Sequence, residues 1–113
     1  MPSLINKTCL VTGSTRGIGR AIARMLAAEG ARVAICGRSE AATAQAAAEL
    51  TAETSSKVVG KAADVSQYTE VVKLFEWLGA ELGPLNVLVN NAGIGIFGAV
   101  GELSLEQWKR TLD

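Results

Sequence analysis

The sequence predicts an α/β fold with a doubly wound parallel sheet, and three observations carry that expectation. Short apolar runs recur at 7–12, 32–36, 57–62 and 85–91. Between them lie stretches with the apolar spacing or the alanine content of helices. Between the first run and the first helical stretch stand three glycines, spaced Gly13-x3-Gly17-x-Gly19, in "VTGSTRGIG". Strands alternating with helices imply right-handed βαβ crossovers and hence a parallel sheet.

Each element has its own signal. "KTCLVT" (Lys7 to Thr12) is short, apolar and β-branched, as a strand buried on both faces reads. From Gly17 to Glu29, Ile18, Ile22, Met25 and Leu26 recur on one helical face, with Gly30 placed as a C-terminal cap. "RVAIC" (Arg32 to Cys36) is the second strand, and Ser39 caps an alanine-rich helix running towards Thr54. "KVVGKA" (Lys57 to Ala62) is a third strand interrupted by Gly60. Val71, Phe75, Leu78 and Leu82 mark a further helix, ended by Gly83-Pro84. "LNVLVNN" (Leu85 to Asn91) is the fourth strand, and Ser104 with Gln107 has the capping-box spacing that opens another helix. Strand order 3-2-1-4 follows from the doubly wound scheme.

Composition narrows the function classes. The 113 residues are 49% apolar, enough for one domain with one core, and 11 basic residues balance 11 acidic ones. Zero net charge gives no electrostatic case for nucleic acid or a membrane surface. No histidine occurs in the chain, which removes Ser-His-Asp, Cys-His and His-metal chemistry from these residues. Cys9 and Cys36 fall inside apolar runs without C-x-x-C spacing, so they read as reduced core thiols; no metal site is expected, and the cytoplasm fits. No basic-then-apolar leader precedes the first strand, and no window approaches the ~20 apolar residues of a membrane span.

The glycines explain themselves as a phosphate cradle. Ligands of such sheets sit beyond the carboxyl ends of the strands, where strand order reverses. There Gly13 permits a tight turn, Gly17 lets phosphate oxygens approach the main chain, and Gly19 lets helix and strand pack closely. The helix start adds free N–H groups and the positive end of its dipole. The loop residues Gly13, Ser14, Thr15, Arg16, Gly17, Ile18 and Gly19 are therefore candidates for binding a dinucleotide. At the end of the second strand an acid would bind an adenosine ribose, whereas Arg38, followed by Ser39, suits a 2′-phosphate, with Arg16 as a second cation. This favours NADP(H), with NAD(H) possible, and disfavours an adenosylmethionine enzyme, which would want an acid there. Asp64 can accept from an adenine amino group while Val65 packs on the ring, or Asp64 simply starts a turn. In "NNAG", the Asn90 amide can tie strand ends, and Ala92 and Gly93 leave room for a ribose or ring.

"TGSTRGIG", Asp64-Val65 and "NNAG" together resemble the short-chain dehydrogenase/reductase family over the whole chain, nearest in look to its 3-oxoacyl-(acyl-carrier-protein) reductase branch. The resemblance implies a Rossmann-type domain spanning 1–113, with Gly13, Arg16, Gly17, Ile18 and Gly19 around the pyrophosphate. It also implies Asp64 and Val65 at adenine, and Asn90, Ala92 and Gly93 beside the nicotinamide-side ribose. The substrate it implies is a small carbonyl/alcohol pair. The family's reaction is carried by an asparagine, a serine and a Tyr-x-x-x-Lys pair, and all of these would fall after Asp113. Tyr68, the sole tyrosine, has its nearest downstream lysine at Lys73, off the i, i+4 face, so no catalytic residue is expected within these residues. The chain alone is then expected to bind cofactor without turnover, as part of a longer reductase or as a non-catalytic NADP(H)-sensing half-domain. A fourth strand without a fifth would expose an apolar edge and favour homo-oligomers.

Overall fold

The structure, a computed structural model, describes residues 4–15 and 17–90. Four strands, β1 (Thr8–Thr12), β2 (Arg32–Gly37), β3 (Val58–Ala62) and β4 (Val87–Asn90), form one sheet in the order β3-β2-β1-β4. All neighbours are parallel, with Cys9 opposite Val33 and Val87, and Val33 opposite Val58. The expected topology is the observed one.

Three helices cover the sheet. α1 (Gly17–Ala28) and α2 (Glu40–Thr54) lie on one face, and α3 (Tyr68–Glu81) lies on the other. The pleat sorts the strand residues between them. Cys9, Val11, Val33, Ile35 and Val89 meet α1 and α2, while Leu10, Ala34, Cys36 and Leu88 meet α3. Every residue of β1 is buried, which is why its sequence shows no alternation of polar and apolar residues. Leu10, Leu74, Leu78 and Leu88 are among the largest fully buried side chains, and each contributes about 1.5–3 kcal/mol on burial.

Element ends moved by one to three residues from the sequence expectation. β1 begins at Thr8, β2 runs on to Gly37, α3 starts at Tyr68 ahead of Val71, and β4 covers Val87–Asn90. Ser39 caps α2 as expected, its Oγ accepting from the Ala42 N–H at 3.2 Å. Gly30 turns at φ +96° after α1, where a side chain would strain the backbone.

One expectation is corrected. The apolar spacing puts Ile18, Ile22, Met25 and Leu26 on the buried face of α1, but Ile18 is 73% and Met25 55% exposed. The buried stripe is Gly19, Ala23 and Ala27, with Ile22 and Leu26 packed at its margin. Small residues at i, i+4 and i+8 bring the helix backbone close to the sheet, and the bulkier residues are left to the flanks. Gly60 has a similar use. A Cβ there would lie 2.9 Å from Thr43 Cγ2 and 3.3 Å from Ala47 Cβ, so its bareness lets α2 settle onto β3.

Candidate dinucleotide site

The strand order reverses at β1, so the loops leaving β1, β2, β3 and β4 gather at one rim of the sheet. Gly13 turns the chain at φ +61° directly after β1. Ser14 then points inward. Its Oγ donates to the Val11 carbonyl at 2.6 Å and accepts from the Cys36 N–H at 3.2 Å, while its own N–H donates to the Cys36 carbonyl at 3.3 Å. The hydroxyl of Ser14 is thus spent on fastening the loop to the end of β2. Thr15 follows, half-buried beside Gly37.

Gly17 opens α1 at φ +67°, and among the described residues a Cβ placed on it would meet nothing within 4 Å. Main chain is therefore bare towards open space at the helix start, the local shape that a phosphate needs. The electrostatics agree. α1 has no acidic residue in its first turn, whereas α2 has Glu40 and α3 has Glu70 there. Glu70 is already engaged, accepting from the Asp64 N–H at 2.8 Å. The first turn of α1 itself supplies no carboxylate to the positive end of the helix dipole, and an anion there gains about 0.3–1 kcal/mol or more when partly buried. Gly19, buried, holds the helix close to the sheet.

Arg38 stands exposed just past β2, and no carboxylate lies within ion-pair distance of it among the described residues. Asp64, past β3, accepts at Oδ1 from Ser66 Oγ at 2.7 Å and from the Ser66 N–H at 3.0 Å. Those bonds hold its carboxyl below the ordinary carboxylate value, with the positive charge of Arg38 adding to the effect. The turn reading of Asp64 is the local arrangement seen, and Val65 packs half-buried against the α3 side of the core. Asn90, at the end of β4, is fully buried. Its Oδ1 accepts from Thr12 Oγ1 at 2.9 Å, tying the ends of β1 and β4, and its Nδ2 has no partner among the described residues.

Residues 7–113 match the short chain dehydrogenase family along nearly the whole chain. The chain belongs to that family. A 3-oxoacyl-(acyl-carrier-protein) reductase of Chlamydia muridarum is 41% identical over 110 residues, covering 97% of this chain and 44% of the relative. Glucose 1-dehydrogenase 2 of Bacillus subtilis is 36% identical over 111 residues, 97% of this chain and 43% of the relative. Among solved structures, L-sorbose reductase from Gluconobacter frateurii, complexed with NADPH and L-sorbose, superimposes with a TM-score of 0.77 at 33% identity, over 95% of this chain and 41% of that one. The Pseudomonas aeruginosa RhlG/NADP complex superimposes with a TM-score of 0.75 at 41% identity, over 81% of this chain and 36% of that one. The chain thus spans less than half the length of each of these proteins.

Against this short-chain dehydrogenase frame, the structure brings Gly13, Ser14, Thr15, Gly17, Ile18, Gly19, Arg38, Ser39, Asp64, Val65 and Asn90 to one rim of the sheet. Arg16, Ala92, Gly93 and the helix expected from Ser104 lie outside the described residues. Ser39 is engaged as the cap of α2. Tyr68 is the first residue of α3, half exposed, with Lys73 five positions along the same helix. Cys9 and Cys36 are buried and unbridged, and burial pushes both thiols up to about 11, so neither is a nucleophile at neutral pH. Among the described residues no group of three His, Cys, Asp or Glu could hold a metal ion, and no helix is long and apolar enough to cross a membrane. Sequence reasoning missed Thr12 as the partner of Asn90. The signal was available, since a buried threonine and asparagine ending adjacent parallel strands must find each other or go unpaired.

Proposed function

We propose that this chain is the cofactor-binding part of an NADP(H)-dependent oxidoreductase that interconverts a carbonyl and an alcohol. The observation that carries the reading is the combination of an acid-free helix start at Gly17 with the exposed Arg38 at the next strand end, which has no ion-pair partner among the described residues. The N–H groups of the first α1 turn would hold the diphosphate, and Ile18, exposed in the protein alone, would be covered by the bound dinucleotide. Arg38, with Arg16, would pair with the 2′-phosphate. Asp64, with Oδ1 engaged, would meet adenine through its remaining oxygen. The buried Asn90 Nδ2, with a donor to spare, would serve the nicotinamide-side ribose together with Ala92 and Gly93.

A nicotinamide dinucleotide supplies the hydride. These residues bind and orient it, and the proton donor that reduction of a carbonyl also needs would come from a Tyr-x-x-x-Lys pair outside the 113 residues. The names of the relatives, a 3-oxoacyl reductase, a glucose dehydrogenase and a sorbose reductase, share a carbonyl/alcohol pair and support that substrate class. The two buried, unbridged thiols support a reducing compartment such as the cytoplasm. A homo-oligomer is the assembly expected on this reading.

Titrating the protein into NADPH while following nicotinamide fluorescence tests the reading. Saturable binding, tighter for NADPH than for NADH, is expected. No saturable signal with either dinucleotide would overturn it.

A further inference from the structure

The end of β2 carries a second feature that bears on which cofactor the site can take. Gly37, one residue before Arg38, has no room for a side chain. A Cβ built on it would lie 2.6 Å from Thr15 Cγ2 and 2.9 Å from Thr43 Oγ1. Two elements close the space from different directions, the glycine loop through Thr15 and α2 through Thr43. Thr43 also packs over the bare Gly60, its Cγ2 lying 2.9 Å from the place a Cβ there would take. It is 1% exposed, and its Oγ1 has no hydrogen-bond partner among the described residues. A buried hydroxyl without a partner costs free energy.

We propose that Thr15 and Thr43 are specificity-determining residues of the dinucleotide site, closing the space over Gly37 so that the end of β2 cannot carry the acidic side chain that would grip an unphosphorylated ribose. The inference rests on the NADP(H) reading and deepens it. Arg38 supplies attraction for a 2′-phosphate, and the filled space over Gly37 excludes the alternative built on a carboxylate. Discrimination then has an attractive and a repulsive part, held by different residues.

The consequence is a conditional switch. Gly37→Asp alone would press the new Cβ into both threonines, and overpacking of this kind lowers the melting temperature by about 5 °C or more in a domain of this size. Its carboxylate would be forced out of position. Thr15→Ser removes the Cγ2 that stands closest, and Thr43→Ala removes the Oγ1, which opens the space.

The test compares wild type, Gly37→Asp, Thr15→Ser/Thr43→Ala and the combination of all three, each by thermal melting and by titration with NADPH and with NADH. Expected for Gly37→Asp is a lower melting temperature and no more than a twofold gain for NADH. The triple variant is expected to regain at least half of the lost temperature relative to Thr15→Ser/Thr43→Ala, and to bind NADH at least tenfold tighter than Gly37→Asp does. Gly37→Asp with an unchanged melting temperature and a tenfold gain for NADH would overturn the proposal, as would a triple variant that recovers neither quantity. Should Gly37→Asp not fold, Gly37→Ala takes its place in the melts, where a loss relieved in the Thr15→Ser/Thr43→Ala background is expected and an unchanged melting temperature overturns the proposal. The melts need no cofactor. Failure of the cofactor reading shows in the wild-type titration, and failure of the steric closure shows in the melts.

Discussion

The two rims of the sheet differ in how fully the protein uses its own polar groups. At the rim where the strands begin, polar groups are spent on the protein itself. The Thr8 N–H donates to Asn86 Oδ1 at 2.8 Å, the Asn86 N–H returns a bond to the Thr8 carbonyl at 2.9 Å, and Thr8 Oγ1 donates to the Leu82 carbonyl at 3.3 Å. Arg32 N–H donates to the Lys7 carbonyl, and Ser56 Oγ donates to the Ala27 carbonyl at 2.7 Å. At the rim where the strands end, Ser14 Oγ and Asn90 Oδ1 are engaged within the protein, but among the described residues a Cβ on Gly17 would meet nothing within 4 Å, the first turn of α1 lacks an acid, Arg38 has no carboxylate in ion-pair reach, and Asn90 Nδ2 has no partner. The lower rim closes the fold. The upper rim leaves Arg38 without a carboxylate in reach and Asn90 Nδ2 without a partner among the described residues, groups that the proposed dinucleotide would engage. On the proposed reading stability and binding are separated in space, and substitutions at the two rims should separate them in measurement.

The largest effect is expected at Gly17. Gly17→Ala places a methyl group where the diphosphate would lie and strains a left-handed residue by about 1–2 kcal/mol. NADPH affinity should fall by ~100-fold or more, the loss of at least two charge-assisted hydrogen bonds, while the protein still melts cooperatively. Calorimetry beside a thermal melt reads both. Arg38→Ala comes next, with NADPH weakened by about 10- to 100-fold, NADH changed little, and the melting temperature unmoved. Equal losses for the two cofactors would mean that Arg38 does not meet the 2′-phosphate. Asn86→Ala inverts the pattern. It strands the Thr8 N–H at a cost of about 1–3 kcal/mol, seen as a fall of ~5–15 °C in melting temperature, and leaves cofactor affinity unchanged in the folded protein.

A smaller effect follows from protonation. The lowered pKa of Asp64 means that its hydrogen bonds favour the fold above the ordinary carboxylate pKa of about 3.9, and that this contribution is lost as the pH falls through the lower folded value. Ser66→Ala removes the Ser66 Oγ donor and should bring the Asp64 titration, followed by NMR, back towards the ordinary value. An unmoved titration would show that the Ser66 hydroxyl does not set it.

Most of the fold was legible because a strand covered on both faces leaves an unbroken apolar run, and the order 3-2-1-4 then follows from how right-handed crossovers pack. The backbone of the glycine loop was legible too: Gly13 takes a left-handed turn, Gly17 a left-handed helix start and Gly19 a buried contact, and the phosphate-binding role read from them belongs to the proposal. What the sequence hid was packing by the smallest residues. Ile18 and Met25 carry the apolar signal of α1 yet stay exposed, while Gly19, Ala23 and Ala27 do the packing and contribute little to any apolar stripe. The anchoring of Ser14 was hidden for a related reason: only the register of Thr12 opposite Cys36 brings its hydroxyl against β2. Gly60, read as an interruption of β3, is the space that Thr43 occupies, a contact that no local pattern announces.

The contrast between the rims is tested most directly by mapping backbone amide shifts on adding NADPH. Perturbations are expected at Gly17, Ile18, Gly19, Arg38 and Asn90, with Asn6, Gly30, Asn86 and Thr8 undisturbed. Shifts confined to the lower rim, or none at saturating NADPH, would contradict the account.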